Sequence, residues 1–357
     1  MTERNAREIR SAGAGAGLWL ALGAALLGLA SARASAPPPG SSAARESHPL
    51  VWPSPPAAPR VAYVRSIVRP VDIGVKQSFF KKVGGWITGS DPDNDLLLKP
   101  FGIAVEGDDH VCLTDSGANV VCDFDRSKKK WARWDRVGNQ PFSGPVAVAR
   151  HQGAYFVAES GLRAIVAFDE QGKLLFQITN RLERPAGVVV AGKRLLVVDS
   201  QRHCVVAYDL AGRYLSEFGR RGSQPGEFNF PSHIAADADG DLYVTDSMNS
   251  RVERFDREGR FKNQIGGLGD GPGHFSRPKG VAVDTFGHVY VLDAVFDNLQ
   301  IFDREGQFLL TVGGLGSEPG QFWLPNGIAI NRRNEIFVAD AYNRRVQVFQ
   351  YVGPPSD

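Results

Sequence analysis

The sequence has very little net charge. Forty-one Lys and Arg stand against 39 Asp and Glu, a formal +2. Arg4, Arg7, Arg10 and Arg33, against Glu3 and Glu8, account for that surplus within the first 34 residues. The remainder is close to neutral, which removes the electrostatic case for nucleic acid as a partner. Cysteine is also scarce, with three in 357 residues. There is no Cys-x-x-Cys-His haem site, no Gly-x-Ser-x-Gly nucleophile elbow and no phosphate loop, so three common chemistries lack their usual signatures. No Cys follows the N-terminal apolar run, which argues against a lipid-anchored lipoprotein.

Residues 1–34 read as an export signal. A basic start (Arg4, Arg7, Arg10) precedes an uncharged stretch from Ala12 to Ala32, and Ala32-Arg33-Ala34 or Ala34-Ser35-Ala36 offers the small-x-small cleavage pattern. Left uncleaved, residues 12–32 are long enough to anchor the chain in an inner membrane, although their Ala and Gly content favours cleavage. The expected location is therefore the periplasm or outside the cell, with membrane contact only through a retained N-terminal segment. Residues 35–59 are rich in Pro, Ser and Ala and read as a linker.

From residue 60 to 352 one pattern recurs. A Pro opens an apolar strand, a second strand ends in an acid, and a third ends in aromatic-Asp. The prolines are Pro100, Pro145, Pro185, Pro231, Pro278 and Pro325. The acids are Asp115, Glu159, Asp199, Asp246, Asp293 and Asp340, spaced 44, 40, 47, 47 and 47 residues apart. Such a period accommodates four short strands with their turns. Asp239-Gly240, Glu258-Gly259 and Glu305-Gly306 supply hairpin chemistry. A lone sheet of this kind cannot bury both faces, so the sheets must stack around an axis, which makes the fold class an all-β six-bladed propeller. The last period lacks a fourth strand. Arg60-Val-Ala-Tyr-Val-Arg-Ser-Ile67 has the character of one and is expected to complete the blade and close the ring.

The elements Gly-x-Phe-x-x-Pro-x-Gly-Ile/Val-Ala-Val, Tyr-Val-x-Asp and Asn-x-Arg-Val, seen best around Asn249–Val252 and Asn343–Val346, resemble NHL repeats. The likeness is strongest in the last three periods. In the first two, Val120-Val121 follows Asn119 and Glu159 replaces Asp. The layout as a whole resembles bacterial exported propellers of unassigned function.

The acids recur once per blade, which implies a structural role in each, with Asp246–Arg251 and Asp340–Arg345 as expected pairs. The residues after each strand-one Pro should line one mouth of the central channel, and there His233, Lys279 and Asn326 depart from the small or apolar pattern. Propeller enzymes similar to this fold, the peptidylamidoglycolate lyases and gluconolactonase-like hydrolases, place metal ligands at such rims. Zinc catalysis needs about three converging ligands, whereas this rim offers one His and one Asn, so no metal or cofactor is expected. A helix over 71–87, with Val75, Phe79 and Val83 opposite Lys76, Lys81 and Lys82, should shade one end of the propeller. Asp91–Asp95 begins like a calcium loop but lacks its Gly and Glu, and reads as a turn. Cys112 and Cys122 lie on adjacent strands and could form a disulfide, while Cys204 is left over. Arg220, Arg221, Phe228, Phe230, Phe275, Phe322 and Trp323 could form a contact surface or pack between blades.

Together these features point to an exported, non-catalytic scaffold for a protein or small-molecule partner in the cell envelope. The alternative is a lyase or hydrolase with a metal-assisted site in the channel.

Overall fold

The computed structural model describes residues 49–74 and 96–353. The export signal, the first part of the linker, the Asp91–Asp95 turn and all but the first residues of the 71–87 helix lie outside them. Pro70–Ile73 forms one 3-10 turn.

Six antiparallel sheets form the blades. Blade one is Pro100–Glu106, His110–Asp115, Val120–Asp125 and Lys130–Trp134. Blades two to five repeat this order, with innermost strands Pro145–His151, Pro185–Ala191, Pro231–Ala236 and Pro278–Val283. Blade six starts at Ile328–Ile330 and continues through Glu335–Asp340 and Arg345–Tyr351. Val61–Ile67 then pairs with Arg345–Tyr351, from Val61 opposite Tyr351 to Ile67 opposite Val346.

Burial shows why the middle strands carry nearly unbroken apolar runs. Leu242–Asp246 and Arg251–Phe255 are buried at every position, whereas the outer Phe261–Ile265 buries only its last residue. Both faces of an inner strand meet a neighbouring blade, so alternation has nothing to encode. The core is accordingly divided into six apolar clusters, one at each junction between blades, including that between blades six and one. Each fully buried aromatic, such as Phe228, Phe275 or Phe322, contributes about 2–3 kcal/mol. These three rings lie against Gly219, Gly266 and Gly313, where an added Cβ would come within 2.3–2.4 Å of the ring. They are therefore blade packing and not contact surface. Phe230 and Trp323 are exposed.

Two sequence expectations need correction. The linker does not run free to residue 59, because Val51–Trp52 adds a fifth strand to blade six and Trp52 packs edge-on against Phe349. A single Trp seated on an aromatic core outweighs the proline-rich composition around it. Cys112 and Cys122 do not face each other either, since Cys112 pairs with Asp123 and Leu113 with Cys122. That one-residue offset puts the two thiols on opposite faces of the sheet, one in the junction between blades one and two and the other in that between blades six and one. Cys204 is buried, and its thiol is pushed up to about 12 by desolvation.

Candidate functional site

The innermost strands surround a channel with a cavity of ≈ 230 Å³, lined mainly by Ala, Val and Ile. Its two mouths differ in chemistry.

At the first mouth, the pairing of strands one and two slips just after the opening proline, between Pro231 and His233 in blade four. Proline has no N–H to give the ladder, and a bulge there re-aims the next side chains. Blades one, three, five and six place Gly102, Gly187, Gly280 and Gly327 at the ring position, where a Cβ would meet the next blade's backbone at 2.3–2.9 Å. Blade four has His233 instead. Its ring reaches blade six, with Nε2 3.2 Å from Asn326 Oδ1, and its Nδ1 lies 3.0 Å from Ser232 Oγ. Asn326 Oδ1 can only accept, so the ring proton sits on Nε2 and Nδ1 takes the Ser232 hydroxyl proton. Ser247 Oγ lies 2.7 Å from Ser232 Oγ and 2.8 Å from the Pro278 carbonyl. Burial, reinforced by the charge of Lys279, pushes the His233 pKa down to about 3, so the imidazole is neutral at working pH.

Lys279 completes the group. Its amine is lowered by burial first, then by Arg277 and by Arg184 from blade three, with Asp293 opposing. Thus the structure brings His233, Lys279 and Asn326 to one mouth. Arg184 and Arg277, each directly before a strand-one proline, join them, and a reading confined to the residues after each proline misses them. On the loops of the same face Phe230, Met248, Trp323 and Tyr342 are exposed, and Trp323 lies 5.6 Å from Tyr342.

At the second mouth Arg150, at the end of an innermost strand, is almost wholly paired. It contacts Glu106, lies 2.5 Å from Glu170 and 3.9 Å from Asp123, and donates to Tyr155 Oη at 3.2 Å. Burial raises the Asp123 pKa despite His110 beside it. The clue in the sequence was Arg150-His151 closing a strand whose counterparts in blades three to six end in apolar residues.

The acid ring tethers loops. Asp115 accepts from the N–H groups of Leu98, Lys99, Gly117 and Ala118 at 2.6–3.0 Å. Asp199 and Asp293 do the same in blades three and five. Asp246 and Asp340 hold Arg251 and Arg345 at 2.9 and 2.8 Å. Glu159 accepts from Ser143 N–H at 3.3 Å, and burial raises its pKa despite the backbone N–H groups of Ser143, Gly161 and Gly144. Among the described residues no three His, Cys, Asp or Glu side chains gather as metal ligands.

A family model described as a 6-bladed beta-propeller matches residues 236–295, and an NHL repeat model matches residues 322–349. No curated protein matches the sequence. Among solved structures, a streptogramin B lyase is 14% identical, with TM-score 0.54 over 71% of this chain and 94% of that one. A protein of unknown function from Bacteroides thetaiotaomicron is 16% identical, with TM-score 0.57 over 82% of this chain and 75% of its own. Virginiamycin B lyase from Staphylococcus aureus is 15% identical, with TM-score 0.54 over 73% and 97%. Likeness at such identity speaks to the fold. The chain is a six-bladed β-propeller whose final blade carries an NHL repeat.

Proposed function

We propose that this chain is an exported, non-catalytic binding propeller that takes an anionic small molecule, or an anionic group on a cell-envelope protein, at the mouth formed by His233, Lys279 and Asn326. The observation that carries the reading is the charge set there. Lys279, Arg277 and Arg184 lie close enough for the two arginines to depress the lysine pKa, and none of the three side chains has an ion-pair partner among the described residues. Like charges held together in a half-buried place repel one another unless an anion joins them. His233 and Asn326 add neutral hydrogen-bonding groups beside that charge, and the exposed aromatics offer flat contact area.

A lyase or hydrolase at the same mouth is the competing reading, and two of the similar structures are lyases. An imidazole with a pKa of about 3 is a poor general base at neutral pH, and three unpaired cations disfavour a metal ion. Elemental analysis of the purified chain and of His233→Ala separates the two readings. No stoichiometric transition metal is expected in either sample, together with saturable succinate binding that weakens at least tenfold in Lys279→Gln. About one metal per chain, lost in His233→Ala, would favour the metal-assisted alternative. Export is checked by mass spectrometry of the mature N-terminus, expected after Ala34 or Ala36.

A further inference from the structure

Blades four and six share a device that blade five lacks. In blade four Arg251 Nε bonds Asp246 at 2.9 Å, Nη2 donates to the carbonyls of Gln224 (3.1 Å) and Glu227 (2.8 Å), and Nη1 donates to Gln264 Oε1 at 3.2 Å. In blade six Arg345 Nε bonds Asp340 at 2.8 Å, and Nη2 donates to the carbonyls of Glu318 and Gln321, both at 2.9 Å. One guanidinium thus ties each connector to its blade.

Position 298, 47 residues after 251 and 47 before 345, is Asn. The surrounding frame is retained. Gln300 Oε1 accepts from Gly273 N–H at 2.9 Å and its Nε2 donates to the His274 carbonyl at 2.7 Å, as Gln347 does with Gly320 and Gln321 at 2.9 and 2.6 Å. The counterparts of the two carbonyls that take Arg345 are those of Gly271 and His274, and each has one protein hydrogen bond, from His274 N–H and Gln300 Nε2. A carbonyl oxygen has two lone pairs, so each can accept once more. Asn298 Oδ1 is buried without a hydrogen-bond partner among the described residues. Thr311 replaces Gln264, and Asp270, which makes no ion pair among the described residues, stands at the rim. Gly271, Asn298, Thr311 and Asp270, with Pro272 and Phe296, line a cavity of ≈ 250 Å³. Asp293 differs from Asp246 and Asp340, because four backbone N–H groups already occupy it.

We propose that this cavity in blade five is a binding site for an alkylguanidinium group. The Gly271 carbonyl, Asn298 Oδ1 and Thr311 Oγ1 accept from its N–H fork. Phe296 offers a ring to the cation, and Asp270 supplies the opposite charge. The site is separate from the channel mouth and does not depend on the anion reading. A free alkylguanidine and an arginine side chain of a partner protein present the same group, so the test must tell them apart.

The full chain is titrated by calorimetry and thermal shift with methylguanidinium, with methylammonium as control, and with the tripeptides Gly-Arg-Gly and Gly-Lys-Gly. Methylguanidinium is expected to bind saturably, at least tenfold more tightly than methylammonium. In Asn298→Arg the built-in guanidinium should fill the cavity, raise Tm by a few degrees and abolish the response. Asn298→Leu removes the Oδ1 acceptor at similar shape and serves if the first variant folds poorly. Gly-Arg-Gly binding at least tenfold more tightly than methylguanidinium assigns the site to a partner's arginine, and equal affinity assigns it to a free ligand. Equal binding of methylguanidinium and methylammonium, or an undiminished response in both variants, overturns the proposal.

Discussion

The two mouths of the channel both carry cations, and they differ in what those cations touch. Arg150 is enclosed by Glu106, Glu170, Asp123 and Tyr155. Lys279 has Arg277 and Arg184 for neighbours and no ion pair among the described residues. A buried charge whose partners are all supplied by the protein holds the fold together, whereas a cluster of like charges is maintained against a stability loss and needs an outside reason. By that contrast the Arg150 mouth is a structural plug and the Lys279 mouth is the place to look for a ligand.

The strongest way to break the contrast is to remove the plug. Arg150→Ala leaves the buried Asp123 and the partly buried Glu106 without their cation and should destabilise the chain by about 3 kcal/mol, read by urea denaturation. A loss below about 1 kcal/mol would mean that the network is ornamental. A second test carries the same rule inside a blade. Glu253 occupies the place of Gln300 and Gln347, accepting from Gly226 N–H at 3.1 Å, but its Oε2 has no partner where the glutamines donate. Burial pushes its pKa up to about 7, outweighing Arg251 at 3.3 Å. A carboxyl with a raised folded pKa favours the native state while protonated, and that contribution is lost as pH rises from about 4.5 through about 7. Glu253→Gln should therefore be more stable than the parent at about pH 8, by on the order of 2 kcal/mol, with the gap closing toward about pH 5. Equal stability-versus-pH curves would show that the carboxylate finds water or a partner. The smallest effect belongs to Lys279→Gln. Relief of like-charge repulsion should stabilise the fold by about 0.5 kcal/mol near neutral pH. The gain should shrink as alkali discharges the parent lysine, while succinate affinity falls. A clear loss of stability instead would reveal an ion-pair role and remove the basis for an anion site.

The repeat was legible because the physics repeats. A proline opening each first strand and an acid at each second-strand end answer a local demand made six times over, and glycine answers the tight approach in four blades. The contact between His233 and Asn326 was not legible in that way. The two residues lie 93 positions apart and meet only because the ring brings blades four and six together at the mouth. Their shared location could be inferred from the strand-one pattern, and so could that of the cations beside them, since Arg184 and Arg277 directly precede Pro185 and Pro278. The Cys112 and Cys122 register turned on a single residue, which spacing alone does not settle. Asn298 in place of arginine is plain in an alignment of the chain against itself. That the substitution leaves a lined cavity depends on the neighbouring Thr311 and Gly271, which the repeat pattern does not weigh.

Blade six is built from strands near both ends of the propeller, with Val61 beside Tyr351 and Ile67 beside Val346. The two outgoing ends of that pair lie at the same edge. A pull transmitted through them loads the backbone bonds one after another, as in a zipper, and not all together in shear. For a propeller tethered at its N-terminal side this junction is the mechanical fuse. Tension would peel Val51–Trp52 and then Val61–Ile67 from blade six at low force, and leave the six junctions between blades intact.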